Sequence, residues 1–186
     1  KHNTGKNKVI IIAHSMGGIV ARSYIQDDVL YRNDVDKFVM LGTPNHGSPN
    51  AYYQWEGADL AGAVNPNFNG WSGILGIVLE KSVANRLVKV ATHFLEISSV
   101  NYVHSFFPSI QELLPTFDYL KDQFSFLRSV SSMVWQNPSL PDLNSRSNIS
   151  RLISPVKTKI FAGEGYPTLE TIKVLYPNPG NLLSNP

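Results

Sequence analysis

The sequence contains no cysteine, no extended basic run and no apolar stretch long enough to cross a bilayer. The missing cysteines exclude disulfides, thiol catalysis and cysteine metal ligands, and they leave the redox compartment open. Sixteen basic residues against fourteen acidic ones give a formal net charge of +2. Without a basic cluster, the chain is not expected to bind nucleic acid. An initiator methionine and a signal peptide are also absent, so we expect the sequence to begin inside a fold whose earlier part is cut off.

Ser15 lies in the sequence AHSMGG, which follows the β-branched run at residues 9–12 and precedes a helix-like stretch. A strand, a sharp turn and a helix place a serine hydroxyl beyond the carboxyl end of a sheet, near N–H groups of the helix. Ala13 and Gly17 are small enough for a strained corner, although Ala13 departs from the first glycine of G-x-S-x-G. We therefore predict a nucleophilic Ser15 with positive φ. A buried structural serine in a strand-to-helix turn is the alternative.

Three short apolar runs are predicted as strands, at residues 9–13, 35–41 and 156–162. The first is rich in β-branched residues and is of the kind that is buried on both faces of a parallel sheet. The connection between the first two runs is helix-length, with a helix expected to end near Gln26, so these strands are predicted to be parallel. Glycine or proline follows each run, which places the loops on one edge of an α/β sheet. With 42% hydrophobic residues among 186, the chain can form a core.

About a hundred residues separate the second and third runs, far more than an ordinary connection. Apolar residues recur there at helical spacing from Leu75 to Phe94. Aromatic residues are dense in the same segment: Tyr52, Tyr53, Trp55, Phe68, Trp71, Tyr102, Phe106, Phe107, Phe117, Tyr119, Phe124, Phe126 and Trp135. We predict that residues 50–150 form a helical cap over the sheet's carboxyl edge and line an apolar groove, with the core formed by residues 1–49 and 151–186. A separate domain is the alternative.

Four segments carry a resemblance to a known family. KVIIIAHSMGGIVAR at residues 8–22 and LGTPNHGS at residues 41–48 resemble the α/β-hydrolase lipases. They are most similar to the branch of lecithin:cholesterol acyltransferase-like enzymes and glycosylphosphatidylinositol-anchor deacylases. PSIQELLP at residues 108–115 and FAGEGYPT at residues 161–168 are similar to segments in the cap and after the next strand of the acyltransferase-like enzymes.

The resemblance implies a partial α/β-hydrolase fold with a large helical cap, and it implies acyl-ester chemistry. It implies that Ser15 is the nucleophile and that the backbone N–H of Met16 contributes to an oxyanion hole. Asn45 and His46 are implied at the rim of the site.

The base that would activate Ser15 is not evident in the chain. A serine hydroxyl needs a histidine base and an orienting carboxylate, and in this fold the histidine follows the last strand. All five histidines precede the third predicted strand: His2, His14, His46, His93 and His104. We therefore expect none of them to reach Ser15. The base is expected beyond Pro186, and the 186 residues alone are expected to be inactive.

Glu164 is the candidate catalytic acid because it directly follows the third predicted strand. Against this assignment, the acyltransferase-like enzymes take their aspartate from a later Asp-Gly motif, which would also lie beyond Pro186. An exposed loop carboxylate is the alternative role for Glu164.

Together these features predict a serine-dependent ester hydrolase or acyltransferase, in which Ser15 forms an acyl-enzyme that is released to water or to an alcohol. The aromatic cap favours an apolar acyl-ester or lipid substrate, and transient contact with a membrane or lipid interface fits that class. No metal or organic cofactor is required. A non-catalytic hydrolase-like binding scaffold is the alternative, whereas a Rossmann fold lacks its glycine-rich loop after Ile12. A glycosylation sequon at Asn148 is weak support for secretion.

Overall fold

The computed structural model describes residues 5–59, 83, 85–163 and 168–175. The chain divides into two compact units, unit 1 with residues 1–47 and 137–167 and unit 2 with residues 48–136 and 168–186. The elements in chain order are β1 (Val9–His14), α1 (Met16–Gln26), β2 (Val35–Leu41), α2 (Asn50–Gly57), α3 (residues 85–95), α4 (Ser99–Phe106), β3 (Leu120–Lys121), β4 (Leu127–Arg128), α5 (Leu140–Leu143), α6 (Arg146–Ile153), β5 (Lys157–Phe161) and β6 (Ile172–Lys173). Short 3₁₀ turns span Pro108–Leu113 and Val130–Ser132. Within these ranges, no helix combines the length and apolar character needed to span a bilayer.

Unit 1 is built on a parallel sheet with the strand order β1-β2-β5. The register aligns His14 with Leu41 and Leu41 with Phe161, so the carboxyl ends of the three strands share one edge. Helix α1 connects β1 to β2, as the helix-length spacing predicts. The three strands, the first helix and the α/β class that the sequence predicts are therefore confirmed.

One face of this sheet carries the core of unit 1. Ile11 and Ala13 from β1 pack against a buried cluster formed by Ile25, Val35, Phe38, Met40, Leu152 and Val156. On the alternate positions of β1, Ile10 and Ile12 are exposed, Ile12 by 68%. The expectation that the first strand is buried on both faces is wrong for the described chain, because α1 and α6 cover the same face.

Asn148, in the sequon, has a structural role at the start of α6. The residue is buried, and its Nδ2 donates hydrogen bonds of 2.9 Å to both the carbonyl oxygen and Oδ2 of Asp142. Its backbone N–H donates to the Oγ of Ser145, which caps the helix. The nitrogen that glycosylation would modify is thus committed to internal hydrogen bonds, so the folded chain does not support the glycosylation interpretation.

Unit 2 combines short helices with a second small sheet. Helices α2 and α4 and the Pro108–Leu113 turn supply a cluster of buried residues: Ala51, Trp55, Val103, Ile110 and Leu114. The small sheet has the order β4-β3-β6, with β3 antiparallel to β4 and parallel to β6. Leu120 and Ile172 of this sheet form a buried cluster with Tyr119.

Both ends of the segment 48–136 are fastened to the same turn of unit 2. The N–H of Ser48 donates to the carbonyl oxygen of Leu113 at 2.8 Å. The Nε2 of Gln111 donates to the carbonyl oxygen of Gln136 at 3.1 Å. The Pro108–Leu113 turn therefore holds the first and last residues of this segment near each other.

The helical spacing predicted between Leu75 and Phe94 is confirmed where the chain is described, since residues 85–95 are helical. The earlier part of that prediction, apart from residue 83, lies outside the described residues. The assignment of residues 50–150 to a cap over the sheet edge stays a prediction.

Candidate active site

Ser15 occupies the turn between β1 and α1 with φ of 54° and ψ of −133°. A non-glycine residue rarely adopts a positive φ, and such strain persists only where the surrounding structure enforces it. The side chain is exposed and makes no capping hydrogen bond to the helix that it precedes. The predicted positive φ is therefore confirmed, and the hydroxyl faces solvent rather than serving as an N-cap.

Hydrogen bonds between strand ends hold this turn in place. The N–H of Ser15 donates to the carbonyl oxygen of Leu41 at 3.0 Å, which ties the end of β1 to the end of β2. The N–H of Gly42 donates to the carbonyl oxygen of Phe161 at 2.9 Å and ties β2 to β5. Gly42 has a φ of 56°, which suits glycine. The sheet edge thus fixes the backbone on which Ser15 is carried.

Met16 is the first residue of α1, so its N–H has no carbonyl one turn earlier to bond. The N–H groups at the start of a helix also lie at the positive end of the helix dipole. A backbone N–H next to an exposed serine is the type of donor that stabilises an oxyanion in acyl transfer. This placement is compatible with the role that the resemblance implies for Met16.

Gly18 permits a close contact between α1 and the loop after β2, which the sequence did not reveal. A Cβ atom on Gly18 would lie 1.9 Å from the Oγ1 of Thr43, whereas a Cβ on Gly17 would meet only the Cβ of Ala13, at 3.9 Å. The small residue that this packing requires is therefore Gly18. The interpretation of Gly17 as the steric requirement is not supported, because that position has room for a methyl group. Among described atoms, the buried Oγ1 of Thr43 finds no hydrogen-bond partner.

Arg22, which lies further along α1, is the centre of a buried polar network. Its side chain is only 1% exposed. The guanidinium donates to the side-chain oxygens of Gln26 at 2.9 Å and Asn45 at 2.8 Å. It also donates to the carbonyl oxygen of Leu143 at 2.6 Å and to the Oδ1 of Asn144 at 2.9 Å. Burial lowers the pKa of Arg22, so the four hydrogen bonds offset an unfavourable desolvation of the cation.

The same network anchors the loop that follows β2. The Nδ2 of Asn144 donates to the backbone carbonyl oxygen of Asn45 at 2.7 Å, while Arg22 holds the Asn45 side chain. Asn45 was expected at the rim of the site from the resemblance alone. The structure shows that it links the loop to α1 and to Asn144, which follows α5, an arrangement in which its side chain faces Arg22. Arg22 and Asn144 escaped sequence reasoning because polar side chains on helices and in turns are usually solvated.

The histidines that the structure describes are placed elsewhere. His14 and His46 are exposed, in β1 and in the loop after β2. His104 belongs to unit 2, where its Nε2 lies 3.1 Å from the carbonyl oxygen of Trp55 and its ring stacks on that indole at 4.0 Å. His93 lies on α3. Across the described ranges, no hydrogen bond joins a histidine to Ser15.

Two further expectations concern the acid and a metal. Glu164 lies outside the described residues, as does His2. In the part of the chain that the structure describes, no group of three or more histidine, aspartate or glutamate side chains could hold a metal ion.

A comparison with protein families finds a match over much of the chain. The family model described as "PGAP1-like alpha/beta domain" matches residues 1–114, which include β1, the Ser15 turn, α1, β2 and the loop after it. Neither the curated proteins nor the solved structures contain a significant match. The match covers more than half of the chain, and the parallel sheet with its flanking helices is a partial α/β-hydrolase fold.

Proposed function

The chain belongs to the PGAP1-like alpha/beta domain family, and from this premise we propose that it is a serine-dependent hydrolase or acyltransferase acting on acyl esters of lipids. The observation that carries the proposal is the backbone of Ser15, which holds an exposed hydroxyl at positive φ between β1 and α1. Strained serine turns of this kind present nucleophiles in hydrolases of this fold.

In the proposed reaction, the Ser15 Oγ attacks the ester carbonyl carbon and its proton passes to the base. The tetrahedral intermediate carries its negative charge on the former carbonyl oxygen, and the Met16 N–H donates to that oxygen. Collapse of the intermediate breaks the bond to the alcohol, which leaves with the proton. Water or a second alcohol then attacks the acyl-enzyme and releases Ser15.

The general base is assigned, by resemblance to the family, to a histidine that follows the last strand of the fold. Glu164 is proposed as the orienting carboxylate, since in the sequence it comes soon after β5, whose carboxyl end shares an edge of the sheet with that of β1. An Asp-Gly motif after the last strand is the competing source of this acid.

The substrate class rests on the family and on the aromatic residues of unit 2. The family match and its resemblance to lipid-acting hydrolases support an apolar acyl ester. Transient contact with a membrane or lipid interface is part of this proposal.

The test is ester hydrolysis by the complete gene product, measured with p-nitrophenyl esters of increasing chain length and with dispersed phospholipid. We expect longer acyl chains to be preferred. Ser15→Ala should lower kcat by about 10⁴-fold or more, because the nucleophile is lost while binding is kept.

Ser23→Ala is the matched control. Ser23 lies on α1, but its Oγ donates to the carbonyl oxygen of Ile19 at 3.1 Å, within the helix. This variant should keep activity within about twofold, since a side-chain bond of this kind is weak. Equal activity in the Ser15→Ala variant would remove the nucleophile assignment and leave the non-catalytic scaffold.

A further inference from the structure

The hairpin of β3 and β4 exposes a small group of large apolar side chains at its tip, residues 122–126, and at the adjoining first residue of β4. Phe124 and Phe126 are each 71% exposed, and Leu127 is 51% exposed. Single exposed apolar residues need no explanation, but two phenylalanines and a leucine within four positions form a patch.

This tip is held rigidly by hydrogen bonds of its own. The carboxylate of Asp122 accepts the N–H groups of Phe124 and Phe126, both at 2.9 Å. The N–H of Asp122 donates to the carbonyl oxygen of Phe126, and that of Ser125 donates to the carbonyl oxygen of Asp122, each at 2.9 Å. The apolar side chains are therefore displayed by a fixed backbone rather than by a loose loop.

The sheet below the tip has one buried face and one basic face. Leu120 and Ile172 are partners across β3 and β6, and both are buried. Their neighbours Lys121 and Lys173 are also partners, and alternation along a strand sends them to the opposite face. Leu127 pairs with Lys121 from β4 and completes this row.

Lys173 also contacts the tip directly, because its Nζ donates to the Oγ of Ser125 at 3.1 Å. Two acidic residues of the segment, Asp118 and Asp122, have carboxylates that accept backbone N–H groups. The ammonium groups of lysine stand on long flexible stems that can extend toward headgroups while apolar neighbours insert. The arrangement has apolar rings at the tip and a lysine pair directly behind them.

We propose that this hairpin tip docks unit 2 on a membrane that contains anionic lipid. Phe124 and Phe126 enter the interfacial region, and Lys121 and Lys173 bind lipid headgroup phosphates and carboxylates. Aromatic side chains favour this region of a bilayer, and basic residues near the surface add attraction to anionic lipid. The proposal rests on the proposed function only for the reason why the protein would bind a membrane, since docking itself involves no chemistry at Ser15.

The experiment is flotation of the complete gene product with vesicles of phosphatidylcholine alone and with added phosphatidylserine. Phe124→Ser with Phe126→Ser should lower partitioning into both vesicles by about tenfold or more, because roughly two phenylalanine transfers are lost. Lys121→Gln with Lys173→Gln should lower partitioning several-fold, and only into the vesicles with phosphatidylserine. Phe94→Ser is the matched control, since Phe94 is 79% exposed on α3 of the same unit. It should bind like the parent.

Circular dichroism checks that the variants with serine substitutions fold. We expect them to fold, because the phenylalanine side chains that they replace are exposed. Parent protein that fails to float with either vesicle overturns the proposal, and so does equal flotation of the Phe124→Ser/Phe126→Ser variant. Self-association that this variant abolishes, without vesicle binding by the parent, would show a protein interface instead. Ser15→Ala should float like the parent, so loss of hydrolysis with intact docking separates this proposal from the proposed reaction.

Discussion

Replacing Arg22 by methionine should lower the free energy of unfolding of unit 1 by about 3 kcal/mol. The substitution keeps an unbranched side chain with apolar character but removes every donor. Three side-chain oxygens, of Gln26, Asn45 and Asn144, would lose the guanidinium. The carbonyl oxygen of Leu143 would keep one donor, because the Nε2 of Gln26 reaches it at 2.7 Å.

The magnitude follows from two opposing effects. Hydrogen bonds from a charged donor contribute roughly 1.5–3 kcal/mol each, so the four bonds of Arg22 together amount to about 6–12 kcal/mol. Burial of the guanidinium opposes this by several kcal/mol, and methionine removes that unfavourable desolvation. Subtracting several kcal/mol of desolvation from the lower end of this range leaves a net loss of about 3 kcal/mol.

The measurement must report unit 1 alone. All three tryptophans belong to unit 2 by sequence position, so tryptophan fluorescence is a signal from unit 2. Hydrogen exchange of the α1 amides, read by mass spectrometry over a range of urea concentrations, gives the opening free energy of that helix.

Arg151→Met is the control, because Arg151 pairs with Asp28 at 3.0 Å on the surface, with side chains 47% and 67% exposed. An ion pair of this kind contributes about 0–1 kcal/mol. If the Arg22 and Arg151 variants speed the exchange of α1 equally, the buried network does not stabilise unit 1 as argued.

Three further variants test packing and burial. Gly18→Ala should destabilise α1 by about 1–3 kcal/mol, since its Cβ would overlap the Thr43 side chain. Gly17→Ala should be neutral or stabilise the helix by up to about 1 kcal/mol. The same hydrogen-exchange measurement compares the two variants, and equal effects would contradict the close contact between Gly18 and Thr43. Burial raises the pKa of Tyr119 above that of an unfolded chain, about 10. The contribution of this group to stability is complete below the unfolded pKa, begins to fall above it, and is lost as the pH rises through the raised pKa of the folded state. Urea midpoints of unit 2, followed by tryptophan fluorescence, should fall above about pH 10; Tyr119→Phe should reduce the fall, and an unchanged slope would show that another group titrates.

The parts of the fold that follow from local patterns were predicted from the sequence. β-Branched runs ending at glycine or proline marked β1, β2 and β5, and small residues around Ser15 indicated its positive φ. These features depend on residues within a few positions of each other.

The contacts that hold the site depend on distant residues and could not be predicted. Arg22 and Asn144 are 122 positions apart, and a single sequence carries no signal of their hydrogen bond. The contact of Gly18 with Thr43 depends on how α1 packs against the loop after β2. The exposed face of β1 was missed for a related reason, because burial depends on what covers a strand as well as on its own residues.

The turn that holds both ends of segment 48–136 has a consequence for how the parallel sheet assembles. β5 can pair with β2 only after the chain has returned from a long excursion, and loop-closure entropy opposes such non-local pairing. Ser48 and Gln136 are both bound to the Pro108–Leu113 turn, so a folded unit 2 brings the two chain ends together in advance. The entropy lost when β5 pairs with β2 is then set by the short distance between those ends. The number of residues in the insertion has little effect on that entropy.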